Sequence, residues 1–336
     1  MLTATEWENP QFRDFLAAYG YTAEKTALAS LFLPGVLEKR FEAFDRKIRF
    51  AHYTTAEAAV AIIRNKCVWL RNANAMNDYS ELHHGVSRIL SFFRDEAAKP
   101  FWLRLGALHE GLDNELKSLY DGWLNDLRFN TYMMCVSEHK TEEDRLGRLS
   151  MWRAYGQPNG VCAVFNGTPF HNSSEAVKTY SYPVLYWTDE KIKDAFGKIV
   201  DAVCALEGIS LIPKDTLRDY AYHMLETFSI GLKHPGFGEQ VEWRVVHRPG
   251  TDSSERVPCS VQTIRSVPQR VYSLPLANVE SEGLHGLAIP EVLDRIIVGP
   301  CQHPLIVNEA LVDVLNSVGV VDAASKVIIS DIPLRT

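Results

Sequence analysis

Along residues 49–81, RFAHYTTAEAAVAIIRNKCVWLRNANAMNDYSE, the spacing of apolar positions changes period twice. Arg49 to Tyr53 reads as a short buried strand, Thr54 or Thr55 as a helix N-cap, and Ala58, Ala59, Ile62 and Ile63 as the stripe of the following helix. After the polar Arg64-Asn65-Lys66 break comes a second β-like run, Cys67-Val68-Trp69-Leu70. The result is a strand–helix–strand unit. His52, Tyr53 and Thr54 fall where strand gives way to helix, beside backbone N–H groups that lack helical partners, a placement that suits an anionic ligand.

The same reading orders the rest of the chain. Residues 1–46 carry two apolar stripes, one through Trp7, Phe12, Phe15, Leu16 and Tyr19, the other through Leu28, Leu31, Val36, Leu37 and Phe41 and broken at Pro34-Gly35. This arm is either a helical layer on the core or a lid, oligomer contact or partner surface. A helix from 77 to about 93 opens with Asp78 and Glu81, a capping-box-like pair that competes with a metal reading of Asp78, Glu81, His83 and His84. Residues 97–128 form a helical insert, and Thr131–Ser137 has the continuous apolar character of a central strand, ending in the polar EHKTEEDR with Ser137 just past it.

Leu149–Gly156 is a short helix that sets Trp152 and Tyr155 on one face, and Asn159-Gly160 turns the chain into the strand Val161–Phe165. Such an aromatic pair forms either a stacking wall for a flat ring or a lid on the core. A strand over 180–186, helices over 189–207 and 214–231, and a glycine loop through Gly236 and Gly238 lead to the strand Val241–Val246. There Glu242 and Arg244 share one face, Trp243 and Val245 the other. The charged face is either an exposed salt-bridged edge or a carboxylate held on a rigid strand facing a cleft. Strands at 270–274, 295–298 and 327–329 and a helix over 304–318 complete the chain.

Composition narrows the class. With 336 residues, 46% hydrophobic and 23% charged, the chain has ample material for a large α+β core. A net charge of −7 argues against broad adhesion to nucleic acid or anionic membrane. The six cysteines include no C-x-x-C pair, so reduced core thiols in a cytoplasmic protein are expected, with no metal. Neither a leader-like N-terminus nor a membrane-length apolar run is present in the sequence. A Gly-rich dinucleotide fingerprint, a P-loop and a serine-hydrolase elbow are missing too.

His52-Tyr53-Thr54, Met76-Asn77-Asp78 with Glu81, Cys135-x-Ser137, Met151-Trp152 with Tyr155-Gly156, Gly160-Val161, Lys233, Glu242-Trp243-Arg244 and Ile296–Gly299 stand in an order that resembles a bacterial family, domain of unknown function 2971. The resemblance covers about residues 49–330 and departs from the family at Val136, where an aromatic is common, and in the long insert. More distantly, the pattern is similar to mono-ADP-ribosyltransferases of the His-Tyr-Glu type, in fold and order rather than close identity.

That second resemblance implies an α+β, ADP-ribosyltransferase-like mixed or antiparallel β core with helical insertions, spanning residues 48–336 behind an N-terminal helical arm, 1–47. It implies that NAD is the substrate, that Glu242 is catalytic, that His52 hydrogen-bonds a cofactor ribose, that Thr54 sets the loop or touches the diphosphate, that an aromatic from Tyr53, Trp152 or Tyr155 holds the nicotinamide, and that Arg244, Arg153 or Lys233 neutralises the diphosphate. A carboxylate near the ribose stabilises the oxocarbenium charge only as the nicotinamide bond breaks. The acceptor would be a nucleic acid or a protein, the role a toxin or phage-defence effector, and the arm a surface for an antitoxin or partner. NAD hydrolysis, or an inactive nucleotide-sensing or protein-binding module, stands as the alternative.

Overall fold

A computed structural model describes residues 9–18, 20–76, 79–156, 158–171, 176–206 and 208–333. Asn77 and Asp78 lie outside them, as does the Glu81 side chain, and with them the capping-box pair. The chain divides into two compact units, each assembled from three separate segments. Residues 1–42, 72–131 and 182–239 form a helical unit, and residues 43–71, 132–181 and 240–336 a sheet unit. The expected division into an arm, 1–47, and one domain, 48–336, is therefore revised. The arm shares its unit with the insert and with the two helices after residue 188.

In the helical unit, the arm's stripes fold as three helices, Pro10–Ala18, Ala23–Phe32 and Val36–Asp45, with Gly35 at φ +78° between the last two. Helix Lys214–Gly231 is the centre of the unit and packs against helices Tyr79–Phe93 and Leu112–Asn130. Gly85 makes the first contact possible, because a Cβ there would run into the Ser229 carbonyl. On the other side the Tyr120 and Ser229 hydroxyls share a buried hydrogen bond of 2.7 Å.

The strands, in chain order, are β1 (Arg49–Thr55), β2 (Cys67–Asn72), β3 (Tyr132–His139), β4 (Gly160–Phe165) and β5 (Tyr180–Pro183). Then follow β6 (Glu242–His247), β7 (Cys259–Ile264), β8 (Val267–Pro275), β9 (Leu293–Val298) and β10 (Val327–Ile329). They make a mostly antiparallel open sheet of order β10-β9-β4-β1-β3-β2-β8-β7, with β6 paired to β3 and only β10 and β9 parallel among the ladders resolved in register. β6 runs along one edge of β3 from Tyr132 to Ser137, so β1 and β2 share the other edge. The β1 ladder on that edge stops at Ala51–Ser137. The sheet is split there.

One face of the sheet carries the larger apolar core, including Phe50, Val136, Trp243, Val161 and Ile296, beneath helices Ala56–Asn65 and Pro304–Ser317. The opposite face carries Ala51, Tyr53, Cys162, Val164 and Ile297 against helix Leu149–Tyr155. Thr55, not Thr54, caps the helix after β1 by accepting from the Ala58 N–H at 3.2 Å. No described helix is long and apolar enough to cross a membrane.

Candidate functional site

Register decides which side chains meet. Ala51, Ser137 and Glu242 are direct partners across β1, β3 and β6, so their side chains share a face, as do those of Cys135 and Arg244. Because strand side chains alternate, Tyr53 belongs to this face and His52 and Thr54 to the other. Ser137 was expected past the end of its strand; it sits inside β3 and is buried. All six residues of β6 are buried, so of the two readings of its charged face the exposed edge is excluded: the strand is covered on both faces.

Glu242 is 6% exposed, and its Oε1 accepts from Arg244 Nε at 2.8 Å. This is a carboxylate on a central strand, held by a guanidinium two residues away. His52 does not join it. Its Nδ1 lies 3.0 Å from the Cys135 carbonyl, just beyond the end of the β1–β3 ladder, and with that nitrogen donating the ring closes the gap in the split. Burial lowers the imidazole pKa and outweighs the carbonyl bond, so the ring is neutral near pH 7.

Trp152 was a candidate stacking wall, and the structure corrects this. Its indole is 1% exposed, donates from Nε1 to the Leu146 carbonyl at 2.8 Å, and meets the Tyr53 ring edge-on at 4.9 Å. Glycines make its slot. A Cβ on Gly147 would stand 2.6 Å from the indole, and one on Gly299 2.8 Å. The ring is core. Tyr155 is half-buried beside the same cluster, and Arg153 is exposed. Lys233 is 1% exposed with its Nζ 4.9 Å from the Phe237 ring centroid, and it belongs to the helical unit, whereas the other candidates belong to the sheet unit.

Tyr53 is buried, and its hydroxyl accepts from the Arg148 backbone N–H at 2.8 Å. Burial pushes its pKa upward, and does the same to the Cys162 thiol opposite it, so both stay protonated. The expectation of core thiols holds fully only for Cys162: none of the six cysteines is in a disulfide, Cys204 and Cys259 are exposed, and Cys67, Cys135 and Cys301 are half-buried.

The polar, charged segment at the end of β3 takes part in a half-buried ion-pair network. Arg49 binds Asp144 at 2.8 Å and Asp294 at 2.7 Å, His139 Nε2 meets Asp144 at 3.0 Å, and Arg295 binds both aspartates at 3.1 and 2.7 Å. Arg148 bonds Glu143 at 2.8 Å and donates to the Glu138 and Gln240 carbonyls at 2.9 and 3.0 Å. Burial alone would raise the Asp294 carboxyl, but hydrogen bonds and charge from Arg295 and Arg49 hold it below its ordinary value. Glu143 is likewise lowered, burial being outweighed chiefly by Arg148. This network pins the start of helix Leu149–Tyr155 to β1, β3 and β9. Its one sequence signal was the clustering of opposite charges in EHKTEEDR ahead of Arg148.

Among the described residues no group of three or more His, Cys, Asp or Glu side chains is placed to hold a metal ion. In comparison with known proteins, residues 151–245 match the model of a family described as "Protein of unknown function (DUF2971)". The match begins at Met151-Trp152 and takes in β4 and most of β6. Neither the curated proteins nor the solved structures yield a match.

Proposed function

We propose that the sheet unit carries an ADP-ribosyltransferase-like site in which Glu242 is the catalytic carboxylate. The observation behind this is the row Ala51–Ser137–Glu242 across three adjacent strands at the split in the sheet, with Tyr53 on the same face. In the proposed reaction the C–N bond between nicotinamide and ribose breaks and nicotinamide leaves with the bonding pair. The acceptor nucleophile forms the new bond to the ribose carbon and gives up a proton. Glu242 stabilises the positive charge that appears on the ribose, and Ser137 is its neighbour. Tyr155 is the aromatic proposed for nicotinamide and Arg153 the exposed cation proposed for diphosphate, because His52 bonds the Cys135 carbonyl, Thr54 lies on the other face of the sheet and Trp152 is core. The acceptor is a protein or nucleic acid, and the role a toxin or phage-defence effector, with the N-terminal arm as the surface for a partner.

A second reading is favoured by the burial of the Glu242–Arg244 pair: an inactive nucleotide-sensing or protein-binding module in which the pair is structural. Nicotinamide release from NAD, followed with protein and nucleic-acid acceptors and with water alone, separates the two. The enzyme reading expects release that falls at least about tenfold in Glu242→Gln, the loss of a transition-state contact of ~1.4 kcal/mol or more. No release with any acceptor, from protein shown to be folded, supports the module. Release with water as sole acceptor indicates an NAD glycohydrolase.

A further inference from the structure

The sheet face turned away from Glu242 is covered unevenly. Helices Ala56–Asn65 and Pro304–Ser317 lie over β1, β4, β9 and β10, but the half built from β2, β3, β6 and β8 is roofed by loops and short turns. Beneath that roof is a cavity whose floor includes Val68, Met134, Val245 and Leu274, one from each of those strands. Met134 and Val245 are direct cross-strand partners, so the cavity and Glu242 lie on opposite faces of β6. Phe170, Val177 and Leu284 close it from above.

Water centres can occupy about 70 Å³ of the cavity, which opens to solvent at its mouth. That is space for roughly five waters, or on the order of 150 Å³ of ligand, the size of a benzene ring or a short alkyl chain. Among the described residues that line it none is charged, and the two whose side chains carry oxygen are Thr179 and Ser181, which lie close together on one segment. Water in such walls lacks the two to four polar partners that hold it, so an apolar body displaces it favourably. A charged ligand would leave its charge unpaired.

We infer that this cavity is a binding site for a small neutral molecule with an apolar body and a single hydroxyl-like end directed to Thr179 and Ser181. The site is independent of the NAD reading, because it occupies the other face of the sheet.

The full chain is titrated with 4-fluorobenzyl alcohol and followed by fluorine NMR, then the reporter is displaced with straight-chain alcohols from butanol to dodecanol. The expected result is one saturable site per chain. Alcohol affinity rises about fourfold per methylene, which is ~0.8 kcal/mol, and levels off before decanol as the cavity fills. Val177→Phe and Leu284→Trp, which fill the space from the roof, weaken the reporter at least tenfold, while Val261→Phe on the exposed face of β7 leaves it unchanged. Absence of saturable binding overturns the inference. So does affinity that climbs through dodecanol, or a folded filled variant that binds like wild type. Should both filled variants fail to fold, the chain-length series on the unaltered protein decides.

Discussion

Gly299→Ala tests the packing around Trp152. The added Cβ would stand 2.8 Å from indole Cε3 and Cζ3 and 2.9 Å from the Gly160 carbonyl oxygen, all well inside contact distance. The indole has nowhere to retreat. Nε1 is anchored to the Leu146 carbonyl, the Tyr53 edge is 4.9 Å from its centroid, and Gly147 closes the side at Cζ2. Overpacking of this kind costs about 1–3 kcal/mol, and with both a side chain and a backbone carbonyl obstructing, the upper half of that range is expected. Trp152→Phe alone loses the indole hydrogen bond and part of the ring, at a cost of about 2–4 kcal/mol. It also removes the atoms the new methyl strikes, so in the Phe background the Gly299→Ala penalty should shrink by at least ~1 kcal/mol, a measurable coupling. Urea unfolding followed by circular dichroism gives the four stabilities from midpoints at constant m. A Gly299→Ala variant within ~0.5 kcal/mol of wild type, or an equal penalty in both backgrounds, would refute the account of the slot.

Two further outcomes follow from buried titrating groups. Burial lowers the pKa of His139 below its ordinary value despite the Asp144 hydrogen bond and the Glu143 charge, and Arg49 nearby acts in the same direction as burial. The unfolded chain binds this proton near pH ~6.5 and the folded one does not, so stability present above that value is lost as pH falls below it. Urea midpoints at pH 7.5 and 5.5 should therefore differ, and by less in His139→Gln; an identical difference in both proteins would assign the effect elsewhere. Among the thiols, iodoacetamide should modify Cys204 and Cys259 in the native protein and reach Cys162, fully buried with its pKa raised, only under denaturing conditions. Peptide mass mapping distinguishes this from early labelling at Cys162.

Local periodicity carried much of the fold. β1, the helix capped by Thr55, the helices before β6 and the final strand lie within a few residues of where the apolar spacing put them, because each is specified by its own sequence. β7 was not legible. Its residues alternate between exposed and half-buried, and its hairpin turns at Arg265-Ser266, both at positive φ without glycine or asparagine, so neither an apolar run nor a turn signal marked it. The site was half legible. Alternation within β6 correctly paired Glu242 with Arg244, but alternation does not say which β1 residue lies across the sheet. That depends on the β1–β3 register, which brings Ala51 rather than His52 into line with Ser137. Trp152 looked available because the residue that closes its slot, Gly299, is far along the chain. Arg49, Asp144 and Asp294 likewise meet only when β1 and β9 flank β4.

The central claim is that function resides on the Glu242 face and not at His52. Steady-state nicotinamide release from NAD, compared for His52→Gln and Glu242→Gln at equal folded fraction, tests it most directly. The account predicts His52→Gln within about threefold of wild type and Glu242→Gln slower by at least about tenfold, chiefly in kcat. Equal losses in the two folded variants, or full activity in Glu242→Gln, would contradict it.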